Sequence, residues 1–220
     1  MLSLTDVWPL FGLEIRTPRL VLRLVRDEDL PGLIEAALAG VHDPAVMPFS
    51  TPWTDQPREQ LIRETARHLW TQRAGATPSS WTLNLAILLD GTPIGLQDIG
   101  ARDFAVTRTV GSGSWLTQAQ QGKGLGIEMR AGMLQFAFDH LDAQVAVSDA
   151  AVWNGASLGV SRRLGYRDNG LQRFIGRPGE LVESQGLRLH RDEFVRPDWT
   201  AEVTGLDAAR SALLGEASAD

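Results

Sequence analysis

The sequence predicts a mixed α/β domain, and three observations support this fold class. Of its 220 residues, 43% are hydrophobic and 22% are charged, as in a globular protein with a continuous core. Segments with strand-like and helix-like hydrophobic periods follow one another in the order β-α-α-β-β-β-α-β-α-β-β. The centre of this order alternates strand and helix, which implies a parallel βαβ crossover. We therefore expect a mixed, mostly antiparallel sheet with helices on both faces.

The first half of the chain predicts a strand followed by two helices. Residues 19–25 alternate as a strand does, and the acids at 27–29 precede a helix at 30–38. Apolar residues at helical spacing predict a second helix at 57–73.

The segment 40–53 between these helices is interrupted by prolines and rich in large apolar side chains. Such a segment predicts an ordered loop rather than a solvated linker. It either lines a pocket or covers the core. If it lines a pocket, Met47, Phe49 and Trp53 are candidate substrate-binding residues.

The remaining elements follow from period and turn chemistry. They are, in order, strands at 81–89, 94–100 and 110–117, a long amphipathic helix at 125–140, a strand at 143–148, a helix at 154–164, and strands at 166–175 and 184–191. We assign residues 1–195 to one domain. Residues 196–220 form an appendage with a strand, a short helix and a frayed end at 215–220.

Composition excludes several classes of protein. The sequence has no cysteine and four widely spaced histidines, so thiolate chemistry is excluded and a metal cluster is not expected. It has neither a long apolar run nor a signal peptide, so we expect a cytoplasmic protein without membrane contact. A net charge of −6 argues against a nucleic-acid partner. The apolar helix of the appendage could pack on a second copy, which suggests a homodimer.

The segment between the strand at 110–117 and the long helix carries the chemistry. It contains Gln121-Gly-Lys-Gly-Leu-Gly126, with three glycines at alternate positions. Glycines in this pattern let backbone amides converge at a helix N-terminus, which suits a phosphate. The spacing fits neither the P-loop nor the Rossmann fingerprint. A flexible strand-to-helix turn is the alternative reading.

Gln121-x-x-Gly124-x-Gly126 resembles the signature of the GCN5-related N-acetyltransferase (GNAT) superfamily, where it holds the pyrophosphate of coenzyme A. Asn154-Gly-Ala-Ser157 and the Gly165-Tyr166 pair after it resemble the next motif of the superfamily. Thr17-Pro-Arg-Leu-Val-Leu-Arg23 resembles the opening strand of the RimJ/RimL ribosomal-protein N-terminal acetyltransferases. The resemblance spans about residues 17–191.

This resemblance implies that the two central parallel strands splay and that the pantetheine arm of CoA fills the wedge between them. Those strands would be 110–117 and 143–148, and a main-chain amide of 114–116 would polarise the thioester carbonyl. Asn154 would bond the pantetheine, although it could simply cap its helix. The implied cofactor-binding residues are Ser114, Trp115, Leu116, Thr117, Gln121, Gly122, Lys123, Gly124, Leu125, Gly126, Asn154 and Ser157.

Three residues are candidates for catalysis. Many members of the superfamily carry a tyrosine in this helix that protonates the departing thiolate, and this chain has Ser161 at that position. Ser157 is therefore the candidate that hydrogen-bonds the departing sulfur. Its alternative role is to stabilise the start of its helix. Asp103 is the first candidate for the base that deprotonates the amine, and His42 is the second. Asp103 and the neighbouring Phe104 would also contact the acceptor.

The sequence thus predicts an N-acyltransferase that moves a short acyl group from acyl-CoA directly to a primary amine. Acetyl-CoA and succinyl-CoA are both possible donors, and Arg102 or Arg108 could bind a succinyl carboxylate. The acceptor could be a protein N-terminus or a small amine such as a polyamine or an antibiotic. A non-catalytic acyl-CoA-binding module is the alternative of a different class.

Overall fold

A computed structural model of the protein describes residues 1–215. Its helices and strands follow in this order: α1 (Leu4–Val7), β1 (Glu14–Arg16), β2 (Leu20–Leu24), α2 (Leu30–Leu38), α3 (Arg58–Ala74), β3 (Ser80–Leu89), β4 (Thr92–Arg102), α4 (Phe104–Thr107), β5 (Thr109–Gly111), β6 (Ser114–Leu116), α5 (Leu125–Gln135), β7 (Val145–Ala151), α6 (Gly155–Arg163), β8 (Arg167–Ile175), β9 (Leu181–His190), β10 (Glu202–Thr204) and α7 (Leu206–Leu214).

The strands form one sheet in the order β10-β1-β2-β3-β4-β5-β7-β9-β8, and β6 pairs with β4 beyond the end of β5. β5 and β7 run parallel, and the other described pairs run antiparallel. α5 connects the two parallel strands, as the predicted βαβ crossover requires. The predicted fold class is therefore confirmed.

Helices cover both faces of the sheet because side chains alternate along each strand. In β3, Leu85 and Ile87 face the main core with α5, whereas Ala86 and Leu88 face a second cluster formed with α2 and α3. The helix predicted to be amphipathic corresponds to α5, which is instead buried on almost all sides. It ends in a π-helical turn at Phe136–His140.

The tail after residue 195 packs against the rest of the chain. β10 pairs with β1, and Ala209 and Leu213 of α7 are 0% and 1% exposed within the main core. The strand and helix predicted for the tail are present, and both pack against the rest of the same chain. The homodimer prediction instead assumed that they pack on a second copy. A homodimer stays a prediction. Apart from Gly215, the end predicted to fray lies outside the described residues.

Among the described residues, no helix combines the length and apolar character needed to cross a bilayer. The short elements α1, β1 and α4 have no counterpart in the sequence prediction. Each has only three or four residues, too few for a hydrophobic period to be recognised.

Candidate active site

The site lies where the central strand is broken. Gly111 ends β5 and Ser114 begins β6, and Ser112 and Gly113 interrupt the strand between them without a change of register against β4. β5 pairs in parallel with β7 as far as the register of Gly111 with Val147, but β6 has a partner only in β4 among the described strands. β6 and the second half of β7 therefore diverge. They leave a gap in the sheet, and its apex lies at Ser112 and Gly113.

β6 directs backbone groups into this gap. Trp115 lies opposite Leu96 of β4, and Thr117 also donates its N–H to β4. Backbone groups alternate in direction along an antiparallel strand. Those of Ser114 and Leu116 therefore point away from β4 and toward the gap. The Leu116 carbonyl accepts the Gln121 amide, so the two N–H groups and the Ser114 carbonyl are the groups that an extended ligand can pair with.

The glycine loop forms the N-terminus of α5 beside the open end of the gap. Gly122 and Gly124 have φ angles of +73° and +80°, a region that favours glycine. Gly124 is the N-cap of α5 and supplies no side-chain cap, so the first N–H groups of the helix lack a partner of that kind. Their partial positive charge is suited to a phosphate.

Two polar side chains of the loop have local partners. The amide of Gln121 donates to the carbonyl oxygens of Leu116 at 2.8 Å and Val41 at 2.7 Å, so it holds the loop against the end of β6. Lys123 is exposed, and its ammonium donates to Gln120 Oε1 at 2.9 Å. Backbone amides, rather than the Gln121 side chain, are thus the groups that face a bound phosphate.

A buried acid fixes the position of this loop. Glu128 accepts hydrogen bonds from the Thr17 hydroxyl at 2.7 Å, from the Arg19 N–H at 2.7 Å and from Arg19 Nε at 2.6 Å. Arg19 also donates to the Lys123 carbonyl at 3.1 Å. The Thr17-Pro-Arg19 segment therefore anchors the start of α5, a role that its sequence does not reveal.

α6 lies behind the other wall of the gap. Asn154 accepts the Ser157 N–H at 3.1 Å, so the capping role that the sequence left open is present. Ser157 is partly buried, and its hydroxyl has no hydrogen-bond partner among the described residues. Ser161 is fully buried, donates to the Ser157 carbonyl at 3.1 Å and accepts from Arg130 Nη1 at 2.5 Å.

A carboxylate lies at the apex of the gap. Asp98 of β4 accepts the Gly113 N–H at 2.7 Å. It follows Leu96 by two residues and so shares the sheet face that packs on α2 and α3. Burial raises the pKa of Asp98 to about 6, against the opposing effects of the Gly113 hydrogen bond and the Arg130 charge. A carboxylate with this pKa can accept a proton near neutral pH.

The loop predicted at 40–53 covers this face beside β6. His42, Phe49, Trp53 and Trp115 form a chain of ring contacts with centroid distances of 5.6, 5.4 and 5.7 Å. Met47 is 0% exposed. The chain of rings ends on β6, so Phe49 and Trp53 lie on the side of the gap that Asp98 faces.

Arg177, in the turn between β8 and β9, connects this loop to the hairpin at the β8 end of the sheet. Its Nε donates to Asp55 Oδ2 at 2.6 Å, and its Nη2 donates to the Pro44 carbonyl at 2.8 Å. The hydrogen bond from Arg177 lowers the pKa of Asp55. We call this set of contacts the Arg177 clasp.

Neither residue predicted as the base has the expected environment. Both ring nitrogens of His42 have partners within the loop, the Asp43 carbonyl at 2.8 Å and the Thr54 hydroxyl at 2.7 Å. Asp103 is exposed and precedes α4 at the N-terminal end of β5, whereas the gap opens beyond its C-terminal end. Phe104 is 0% exposed and packs on Trp81, so the structure does not bring it to the gap.

Sequence reasoning missed Asp98 and Arg130, and each had a signal. Asp98 is the single acid in the strand predicted at 94–100, on the same face as Leu96. Arg130 is a cation among the apolar residues 129–134, at a position that a buried helix usually gives to an apolar side chain.

A splayed pair of parallel strands beside a glycine loop at a helix N-terminus defines the class of acyl-CoA-dependent N-acyltransferases. The family follows from a direct match. The model of the acetyltransferase (GNAT) domain matches residues 19–167, and the chain belongs to this family of acetyltransferases.

Solved structures with the same fold include CoA-bound enzymes. RimJ of Mycobacterium smegmatis, in complex with CoA-disulfide, has a TM-score of 0.70 and 21% identity over 94% of this chain and 96% of that one. RimL, a ribosomal L7/L12 alpha-N-protein acetyltransferase in complex with coenzyme A, has a TM-score of 0.60 and 16% identity over 79% and 95%. Spermidine N-acetyltransferase from Vibrio cholerae, with CoA and spermine, has a TM-score of 0.61 and 15% identity over 82% and 100%. At these identities the likeness is one of fold.

Proposed function

We propose that this domain transfers an acetyl group from acetyl-CoA directly to a primary amine while both substrates are bound. The observation that carries the proposal is the gap between β6 and β7. It has backbone groups of Ser114 and Leu116 along one wall, phosphate-binding geometry at its open end and Asp98 at its apex.

The residues of the gap fit acyl-CoA along its length. Amides at the start of α5 suit its pyrophosphate, and the free edge of β6 suits its pantetheine amides. When bound, acyl-CoA supplies an activated thioester. A backbone N–H of Ser114 or Leu116 is placed to stabilise negative charge on the thioester oxygen, and Ser157 has a free hydroxyl for the sulfur.

Asp98, rather than Asp103 or His42, is the group that we assign to the amine proton. A primary amine is protonated at neutral pH and must lose a proton before it attacks. Asp98 lies at the apex of the gap, on the side covered by the aromatic loop. Asp149 of β7 is exposed, and it shares that face because its neighbours Ala146 and Ala150 face the main core. Two acids beside the gap favour a cationic acceptor.

Among cationic acceptors, we propose a peptide α-amine first and a polyamine second. The likeness in fold to RimL, a ribosomal L7/L12 alpha-N-protein acetyltransferase, favours the former, and the likeness to the enzyme crystallised with spermine favours the latter. We propose acetyl rather than succinyl as the donor group. Arg102 is exposed at the far end of β4, and Arg108 packs on Phe104, so neither supports a carboxylate pocket at the gap.

The test is a matrix of donors and acceptors. Acetyl-CoA and succinyl-CoA are each incubated with peptides of varied N-terminal residue, with spermidine and with the same peptides blocked at the α-amine. Mass spectrometry should detect acetylation of free α-amines and none of the blocked peptides. Transfer to spermidine alone would replace the peptide assignment. Binding of CoA without transfer to any amine would identify a non-catalytic binding module.

A further inference from the structure

Arg130 is a buried cation between the two walls of the gap. It lies on α5 and is 4% exposed. Its Nη2 donates to the Ser114 hydroxyl of β6 at 3.1 Å, and its Nη1 donates to the Ser161 hydroxyl of α6 at 2.5 Å. One guanidinium thus connects the strand on one side of the gap with the helix on the other.

This cation has no directly paired counter-ion. Within residues 1–215, no carboxylate forms an ion pair with Arg130, and its Nε atom has no hydrogen-bond partner. Burial lowers its pKa, while electrostatic interactions with Tyr166 and with Asp98 act in the opposite direction, so the Asp98 carboxylate acts on it from beyond ion-pair distance. An arginine nevertheless stays protonated in proteins. Burial also raises the pKa of Tyr166, so that hydroxyl is neutral and supplies no negative charge.

Other polar atoms near the apex are also buried. The Oε1 atom of Gln97 lacks a hydrogen-bond partner in the described part of the chain, and Gln97 pairs in register with Ser114. The Ser112 hydroxyl lies close enough to Tyr166 to lower the pKa of that phenol by a hydrogen bond. A buried charge without a partner costs several kcal/mol, so such an arrangement usually serves a bound anion or a charge that develops during reaction.

A purely structural role does not need this charge. The residues that flank Arg130 on α5 are apolar and buried, among them Met129, Ala131 and Met133. A methionine at 130 would match them, and two serine hydroxyls can find other partners. Asp98 acts on this cation without forming an ion pair with it, so the site can accept a second negative group.

We propose that Arg130 is a positioning residue that stabilises the thiolate of departing CoA, an inference that rests on the proposed function. In the transfer, the amine nitrogen forms a C–N bond with the acyl carbon, and the C–S bond breaks with its electron pair on sulfur. Before attack the ammonium gives one proton to Asp98, which releases it to water; after the C–N bond forms, Asp98 accepts the second proton from the nitrogen, and the sulfur leaves as a thiolate. Arg130 acts from behind the gap, through Ser114 on one side and through Ser161, which bonds the Ser157 carbonyl, on the other.

The test measures the ionisation of bound CoA itself. Free CoA and the protein–CoA complex are titrated with base while the ultraviolet absorbance of the thiolate is followed. The complex with desulfo-CoA, which has no thiol, provides the protein background and so removes the titrations of Asp98 and Tyr166. In the parent protein, the pKa of the bound thiol should lie at least one unit below that of free CoA, a tenfold shift toward thiolate.

Two variants assign the effect to the charge. Arg130→Met should return the thiol pKa to that of free CoA or above it, and Arg130→Lys should keep part of the shift. An equal thiol pKa for free and parent-bound CoA would overturn the proposal, even if Arg130→Met failed to fold. So would an unchanged shift in folded Arg130→Met. Failure of the parent to bind CoA would instead overturn the proposed function, and this inference with it.

Discussion

The Asp98 carboxylate accepts the Gly113 N–H at 2.7 Å, across the point where β5 and β6 separate. A single hydrogen bond thus fixes an acid at the apex of the gap. Because Gly113 has no side chain, the carboxylate can approach this close; a Cβ there would lie 2.9 Å from Asp98 Oδ2. The interruption of the central strand and the acid that we propose as the base are parts of one local structure.

Asp98→Asn should stabilise the protein at pH 7.5 and leave its stability nearly unchanged at pH 4. The pKa of Asp98 rises from 3.8 to about 6 on folding, so the folded state holds the proton more tightly than the unfolded state. Stability is therefore lost as pH rises through that interval, and asparagine is spared this loss. A shift of about 2 units corresponds to about 3 kcal/mol at most. Urea unfolding of parent and variant at both pH values measures it.

The same variant should lower kcat at least about a hundredfold, as expected for a lost general base. Asp103→Asn is the matched control, because Asp103 is exposed and has a φ of +46° that asparagine tolerates. It should retain kcat within about twofold of the parent. The reverse pattern, a large loss with Asp103→Asn and none with Asp98→Asn, would return the role of base to Asp103.

Gly124→Asp should weaken CoA binding more than Gly124→Asn does. Both residues tolerate the φ of +80° at this position, so the pair differs chiefly in charge. A carboxylate at the helix N-terminus would repel the pyrophosphate, although Arg19, 3.5 Å from a Cβ at Gly124, would offset part of the effect. We expect a further loss of about tenfold, or about 1.4 kcal/mol, by calorimetric titration. Equal CoA affinities of the two variants would show that this loop does not bind the pyrophosphate.

Ser157→Ala should lower kcat by about ten- to a hundredfold and leave the acyl-CoA Kd unchanged, because the hydroxyl acts on a charge present only during transfer. The start of the helix is stabilised by a hydrogen bond from the Ser157 backbone N–H to the Asn154 side chain, and an alanine at 157 keeps that N–H. The Tm should therefore hold. Single-turnover rates and thermal unfolding test this together. An unchanged rate with a lowered Tm would show that Ser157 is structural.

Arg177→Met should raise the KM for the acceptor and leave the Kd for CoA within about twofold. The Arg177 clasp holds the aromatic loop over the Asp98 side of the gap, and the CoA-binding loop lies elsewhere. Arg173→Met is the matched control, because Arg173 pairs with Glu183 within the same β8–β9 hairpin. Equal acceptor KM values for the two variants would dissociate the loop from acceptor binding.

The sequence predicts most of the fold because its periods and turns are clear. It also predicts the glycine loop at the start of α5, because the spacing of the glycines alone indicates a phosphate-binding loop. The divergence of the two central strands was expected from the family resemblance, whereas the interruption at Ser112 and Gly113 was not predicted.

The base that we propose could not be predicted because its position depends on strand pairing. Asp103 is close to the central strand in sequence, yet it lies at the end of β5 opposite the gap. Asp98 becomes a candidate only because β4 pairs with the central strand where β5 ends and β6 begins. The position of Arg130 could not be predicted either. A helical period shows which face of a helix is apolar, but it does not show which residues of other elements contact a buried charge.

The most direct test of direct transfer is the initial rate of CoA release as a function of both acetyl-CoA and a reactive amine. Attack in a ternary complex predicts double-reciprocal lines that intersect, with no CoA released when the amine is omitted. It also predicts that Asp98→Asn lowers the slope of the pH profile below about pH 6, where the parent carboxyl becomes protonated. Parallel lines, with a burst of CoA released before any amine is added, would show an acyl-enzyme intermediate and contradict the account.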